Sequence, residues 1–168
     1  MPRSPLGAIA FLLGLWIALL LSPFAGRAET SEPAAFAALE TELHRSVNAE
    51  REARHLIRLE RRVELDAVAR AHSADMARRA YLSHVTPEGQ DPVARLERAG
   101  LSGFSLAAEN AGLTSKAEPN RAILSGWLAS PTHRENLHAP PWNATGIGVA
   151  QAPDGTLYFT QLYVTYPR

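Results

Sequence analysis

"TGIGVAQAPDGTLYFTQLYV", Thr145 to Val164, holds two β-rich runs with a turn between them. Thr145–Gln151 and Thr156–Val164 are rich in β-branched and aromatic residues, and Asp154-Gly155 supplies the residues a tight reversal needs. The stretch predicts a β-hairpin at the C-terminal end of the chain. "LAAENAGL" (Leu106 to Leu113) is a third, weaker strand candidate. Two adjacent antiparallel strands require a partner layer for their apolar face, and the rest of the chain must provide it.

Upstream, the pattern is helical. Leu39, Leu43 and Val47 recur at four-residue spacing from Phe36 onward, with charged residues on the other faces. A second helix is predicted over Leu65–Ala80, with Leu65, Val68, Ala69, His72 and Met76 on one stripe. The intervening "EARHLIRLERRVE" is charged and fits either helix. "TPEGQDP" (Thr86 to Pro92) is a loop, and Asp91-Pro92 opens a short helix that ends before Gly100. Another helix is predicted over Pro119–Ala129, and Ser130-Pro131 starts one or two further turns. Helices followed by mixed helix and strand, without βαβ repetition, predict an α+β domain with an antiparallel sheet.

The first 28 residues read as a secretory signal: Arg3, an apolar run from Ala8 to Leu21, then Pro23 and small residues at Gly26 and Ala28. The run of about 14 residues is short for a bilayer span, and an uncleaved anchor is the alternative. Residues 29–35, "ETSEPAA", read as a linker and 36–168 as the domain. Of 17 Lys+Arg, Arg3 and Arg27 leave with the signal, so 15 remain against 17 Asp+Glu. A net charge near −2 gives no electrostatic case for nucleic acid. The expected location is secreted or periplasmic, with no integral membrane segment after cleavage. The chain has no cysteine, which excludes thiol catalysis and Cys-ligated zinc.

Six histidines carry the candidate chemistry. His72, on the apolar stripe, reads as a packed core residue. His44 and His55 read as solvated helix surface, and His138 as a loop residue with no partner. His84 closes the second helix, where it could favour the helix C-terminus or belong to a site. His133 sits in the first turn of its helix, where the dipole disfavours protonation, and a neutral ring suits a ligand or base. Glu109, among small apolar residues, must be paired or functional, since burying a lone carboxylate is costly. Two histidines and a carboxylate are a sound zinc set with one open position. Their spacings of 25 and 24 residues carry no metal signature, so ordinary structural roles stand beside a shared site.

"VNAERE" (Val47 to Glu52), "AVARAHSADMARRAYLSH" (Ala67 to His84), "AENAG" (Ala108 to Gly112), "WLASPTHRENL" (Trp127 to Leu137), "GIGVA" (Gly146 to Ala150) and "YFTQLYV" (Tyr158 to Val164) occur in an order that resembles the CAP superfamily, in its cysteine-free bacterial branch. These are the cysteine-rich secretory, antigen 5 and pathogenesis-related-1 proteins, whose unit is the SCP domain. The resemblance implies a three-layer α-β-α sandwich around a central antiparallel sheet. It also implies a cleft built from His84, Glu109 and His133, a set that often holds zinc or another divalent ion. Ala108 stands where the motif has glycine, and Ser130 where a second glutamate belongs; Glu135 is a poor substitute.

Three functions follow from the resemblance. The leading one is an exported binding module whose cleft holds a divalent metal or small ligand. The second is a metal-assisted, protease-like hydrolase with Glu109 as ligand or general base. The third is a lipid, sterol or protein-interaction domain with a vestigial cleft.

Overall fold

The computed structural model describes residues 32–167; the predicted signal and residues 29–31 of the predicted linker lie outside them. Helix α1 spans Glu32–Glu52, so it starts inside the stretch read as a linker. Pro33 in its first turn is compatible with a helix start, because the N–H that proline lacks has no helical acceptor there. The chain then runs extended through β1 (Glu60–Arg61) into α2 (Val63–Arg79). The charged "EARHLIRLERRVE" therefore prolongs neither helix except at its two ends: His55 takes a positive φ of 59°, and Leu59 buries beneath the turn.

Next come α3 (Pro92–Arg98), β2 (Leu106–Thr114), α4 (Pro119–Ala129), α5 (Pro131–His138), β3 (Ala144–Gln151) and β4 (Leu157–Thr165). The Asp91 carboxylate accepts from the Ala94 N–H at 2.8 Å, the N-cap its position predicts. Ser130 takes the N-cap place of α5 but makes no side-chain cap bond. The hairpin turns where the sequence puts it. Gly155 adopts φ 87°, and Asp154 accepts from the Thr156 N–H at 2.9 Å.

The sheet order is β1-β3-β4-β2. Strands β2, β4 and β3 are antiparallel, as expected, and two-residue β1 adds a parallel edge. Strand alternation sorts side chains between two helical layers. Ile147, Val149, Phe159 and Tyr163 pack with Leu43 and Val47 of α1, Ile123 and Trp127 of α4 and Leu137 of α5. Leu162 and Val164 face the other way, against Leu65, Val68 and Ala69 of α2 and Leu96 of α3. The result is an α+β, three-layer α-β-α sandwich.

The tightest layer contact is α2 on β3. A Cβ on Gly146 would collide with the Leu65 carbonyl carbon, and one on Gly148 with the Arg70 nitrogen. Glycine at these positions lets backbone meet backbone. Beyond β1, the outer edge of β3 is completed by side chains. Asp66 accepts from the Ile147 N–H at 2.8 Å and Glu40 from the Val149 N–H at 3.3 Å. Arg61 donates to both carboxylates, and Arg70 forks onto Glu40.

Candidate functional site

Neighbouring residues on β2 point to opposite faces of the sheet, so Glu109 enters the α2–α3 layer and Asn110 the α4–α5 layer. Because β2 is an edge strand, the two layers meet beside it. The candidate residues meet at this seam, with His84 coming from the loop after α2 and His133 from α5.

His84 does not close α2. Ala80 takes the left-handed conformation, its N–H and that of Tyr81 both return to the Met76 carbonyl, and His84 lies four residues beyond in the loop. Its Nδ1 is 2.9 Å from Glu109 Oε1. The carboxylate accepts, so Nδ1 carries a proton, and in the neutral tautomer Nε2 is the nitrogen with a free lone pair. The His84 side chain is 49% exposed while that of Glu109 is 1% exposed, so solvent and ligands meet the ring and not the carboxylate.

The other Glu109 oxygen accepts from Arg95 Nη2. Arg95 is buried on the inner side of α3, and its Nη1 donates to the carbonyls of His84 (2.8 Å) and Gln90 (3.0 Å). One guanidinium therefore neutralises Glu109 and fixes the loop that carries His84. His72 is buried on α2 as expected, its Nε2 2.9 Å from the Ser83 carbonyl and 3.8 Å from Glu109 Oε1. Burial, opposed by the nearby Glu109 and reinforced by Arg95, holds its pKa below the ordinary value.

His133 enters from the first turn of α5, half-buried, with its ring centroid 6.0 Å from that of His84. Burial first and the neighbouring His84 second lower its pKa, keeping the ring neutral. Asn110 clamps the backbone beneath it. Asn110 Nδ2 donates to the His133 carbonyl at 2.9 Å and to the Tyr163 hydroxyl at 3.2 Å, and Asn136 donates back to Asn110 Oδ1 at 2.9 Å. At the far end of α5, fully buried Arg51 donates to the Leu137 and Ala139 carbonyls at 2.8 and 3.1 Å. Its charge thus supplies the C-terminal cap of the helix that carries His133.

The structure brings His84, Glu109 and His133 together. Exposed Glu135 makes no ion pair among the described residues, and Ser130 adds no carboxylate. His138, read as unpartnered, instead ends α5 with Nε2 2.9 Å from Glu50, and His44 is half-buried against the Leu59 carbonyl at 3.0 Å. Asn143, in a glycosylation-like Asn-Ala-Thr, spends its side chain on both backbone groups of Tyr166.

The sequence model of the cysteine-rich secretory protein family (CAP) matches residues 44–163. The chain belongs to this family. Relatives agree with that placement: the uncharacterized protein YkwD of Bacillus subtilis (strain 168) is 31% identical over 132 residues, covering 79% of this chain and 49% of that protein. This CAP chain thus spans about half the length of the curated relative it matches. Among solved structures, an extracellular protein containing an SCP domain from Bacillus anthracis superposes with TM-score 0.68 at 28% identity, over 79% of this chain and 42% of its own. An outer surface protein from Borrelia burgdorferi gives TM-score 0.71 at 20% identity, over 77% and 94%, a likeness of fold. Despite the family's description, this CAP domain is built without cysteine. No helix among the described residues is long and apolar enough to cross a membrane.

A three-donor zinc site does not fit this CAP cleft. Among the described residues no group of three or more His, Cys, Asp or Glu side chains is arranged to hold a metal. Both Glu109 oxygens are already engaged, one by a guanidinium. What the cleft offers an incoming group is two imidazoles.

Proposed function

We propose that this CAP domain is an exported binding module whose cleft takes a small ligand or a weakly held divalent ion on the rings of His84 and His133. The observation that carries this reading is the bond from His84 Nδ1 to Glu109 Oε1, with Arg95 on the other carboxylate oxygen. A carboxylate behind a histidine fixes its tautomer and aims its free nitrogen. Glu109 therefore orients His84 and does not itself meet the ligand. With its side chain 1% exposed and both oxygens engaged, it also has no path to a substrate water, which disfavours hydrolysis. The predicted leader and the extracellular description of the Bacillus anthracis relative support export.

Zinc titration by calorimetry tests the assignment. One-to-one binding is expected for the wild type and its loss for His84→Ala/His133→Ala. Glu109→Gln keeps an acceptor for His84 and should weaken binding by about 10–100-fold, short of the complete loss expected when both rings are removed. No binding by the wild type, or peptide hydrolysis abolished by His133→Ala, would overturn the reading.

A further inference from the structure

The two cleft histidines differ in what holds their main chain. His133 lies in α5, whose helical geometry fixes its backbone, whereas His84 lies between α2 and α3 in a stretch with no helix or strand. A loop residue with an exposed side chain would ordinarily turn about φ and ψ, and a wandering ring cannot meet a ligand in one geometry. Two buried donors remove that freedom. His72 Nε2 lies 2.9 Å from the Ser83 carbonyl, and Arg95 Nη1 donates to the His84 carbonyl at 2.8 Å. Those carbonyls belong to the two peptide planes on either side of the His84 Cα, so holding both fixes φ and ψ together. Glu109 then takes Nδ1 at 2.9 Å and fixes the ring. The side chains of His72, Arg95 and Glu109 are 0%, 7% and 1% exposed, so the His84 ring is held wholly from beneath.

The part His72 plays is chemically specific. A carbonyl only accepts, so Nε2 carries the ring proton. Glu109 Oε1, 3.8 Å from the same nitrogen, is beyond hydrogen-bond reach and does not compete for it. Burial holds the ring's pKa down, so it donates without adding a charge beside the Arg95–Glu109 pair. Leucine or methionine would fill this place on the α2 stripe and leave the Ser83 carbonyl without its donor. We infer that His72 is a positioning residue of the cleft: through the Ser83 carbonyl it locks the backbone of His84, so that Glu109 captures Nδ1 and Nε2 is presented to the ligand. The effect on ligand affinity rests on the proposed binding role of His84; the effect on its tautomer does not.

The test compares His72→Gln, which keeps an N–H at a similar reach, with His72→Met, which has a similar length and no donor. Nitrogen–proton correlation spectra of the rings, taken at about pH 8 and so above the ordinary histidine range, report which nitrogen of His84 carries the proton. The wild type and His72→Gln should show it on Nδ1. His72→Met should return His84 to the mainly Nε2–H mixture of a free imidazole. It should also weaken zinc binding by about tenfold, the lower end of what a partner behind a ligand contributes. Val68→Ala, one turn back on α2, removes packing without touching the Ser83 bond and should change neither. A slowly exchanging His72 Nε2 proton in the wild type supports the bond even where His72→Met fails to fold, and its absence overturns the inference. So does a His84 tautomer unchanged in folded His72→Met, a loss that His72→Gln does not restore, or an equal change in Val68→Ala. A wild type that binds no zinc, yet loses the Nδ1 proton only in His72→Met, refutes the ligand role of His84 and supports its positioning by His72.

Discussion

Removing the Glu109 carboxylate should cost far more than the cleft's exposure suggests. In Glu109→Ala, Arg95 keeps its bonds to the His84 and Gln90 carbonyls but loses the only carboxylate paired with it among the described residues. Its side chain is 7% exposed, so water cannot replace the lost partner without moving α3. A buried charge stripped of its partner costs about 3–5 kcal/mol. That is a large share of the roughly 5–15 kcal/mol that holds a domain folded. For a domain of this size it corresponds to a fall in Tm of about 10 °C or more. Urea unfolding followed by circular dichroism measures it, provided the slope with denaturant is unchanged. Arg95→Met on the Glu109→Ala background removes the orphaned charge and should recover at least about 2 kcal/mol as a coupling energy in the double-mutant cycle. If Glu109→Ala costs under about 1 kcal/mol, or if the two losses simply add, the buried pair does not hold this layer together.

Three further outcomes follow. Gly148→Ala drives a methyl into the α2 backbone and should abolish soluble folding, whereas Gly126→Ala, with open space around it in α4, should gain about 0.5–1 kcal/mol, read by urea unfolding. His72 and His133 have folded pKa values below their ordinary 6.5, so the unfolded chain binds more protons. Their neutral burial is fully compatible with folding above pH 6.5, and stability should fall as pH drops below that value, with His133→Asn flattening the slope in urea midpoints taken from about pH 7.5 to 5. Asn110→Ala removes bonds to His133, Tyr163 and Asn136; it should destabilise the domain by about 2–3 kcal/mol and speed amide exchange in α5 more than in α2.

What is legible in the sequence is whatever is local. The 145–164 hairpin, the Pro119 and Asp91-Pro92 helix starts and the stripe from Leu65 to Met76 are each settled within a few residues, by periodicity or by turn chemistry. The demand for a partner at Glu109 can also be read, because a carboxylate among Ala and Gly cannot be buried alone. The partner's identity cannot. Arg95 lies 14 residues away on another element, and "PVARLER" gives no local sign that it turns inward while Arg98 does not bury. His84 reads as a helix end because "ARRAYLSH" keeps a helical composition; the left-handed Ala80 that ends α2 has no glycine to announce it. Strand β1 is silent in the sequence because two charged residues, Glu60 and Arg61, carry no strand pattern, and its pairing depends on a β3 found more than eighty residues later.

The outer edge of β3, closed by Asp66 from α2 and Glu40 from α1, also bears on the order of events during folding. The β3–β4 hairpin is local and can form early, but its unpaired N–H groups are covered only after both N-terminal helices have docked across a long stretch of chain. Until then the hairpin offers an open strand edge to any neighbouring chain. The native domain is guarded there, and its late intermediates are not. Aggregation should therefore be a hazard of refolding at high concentration, and variants that slow the docking of α1 or α2 should be lost to aggregates before they show as unstable folded protein.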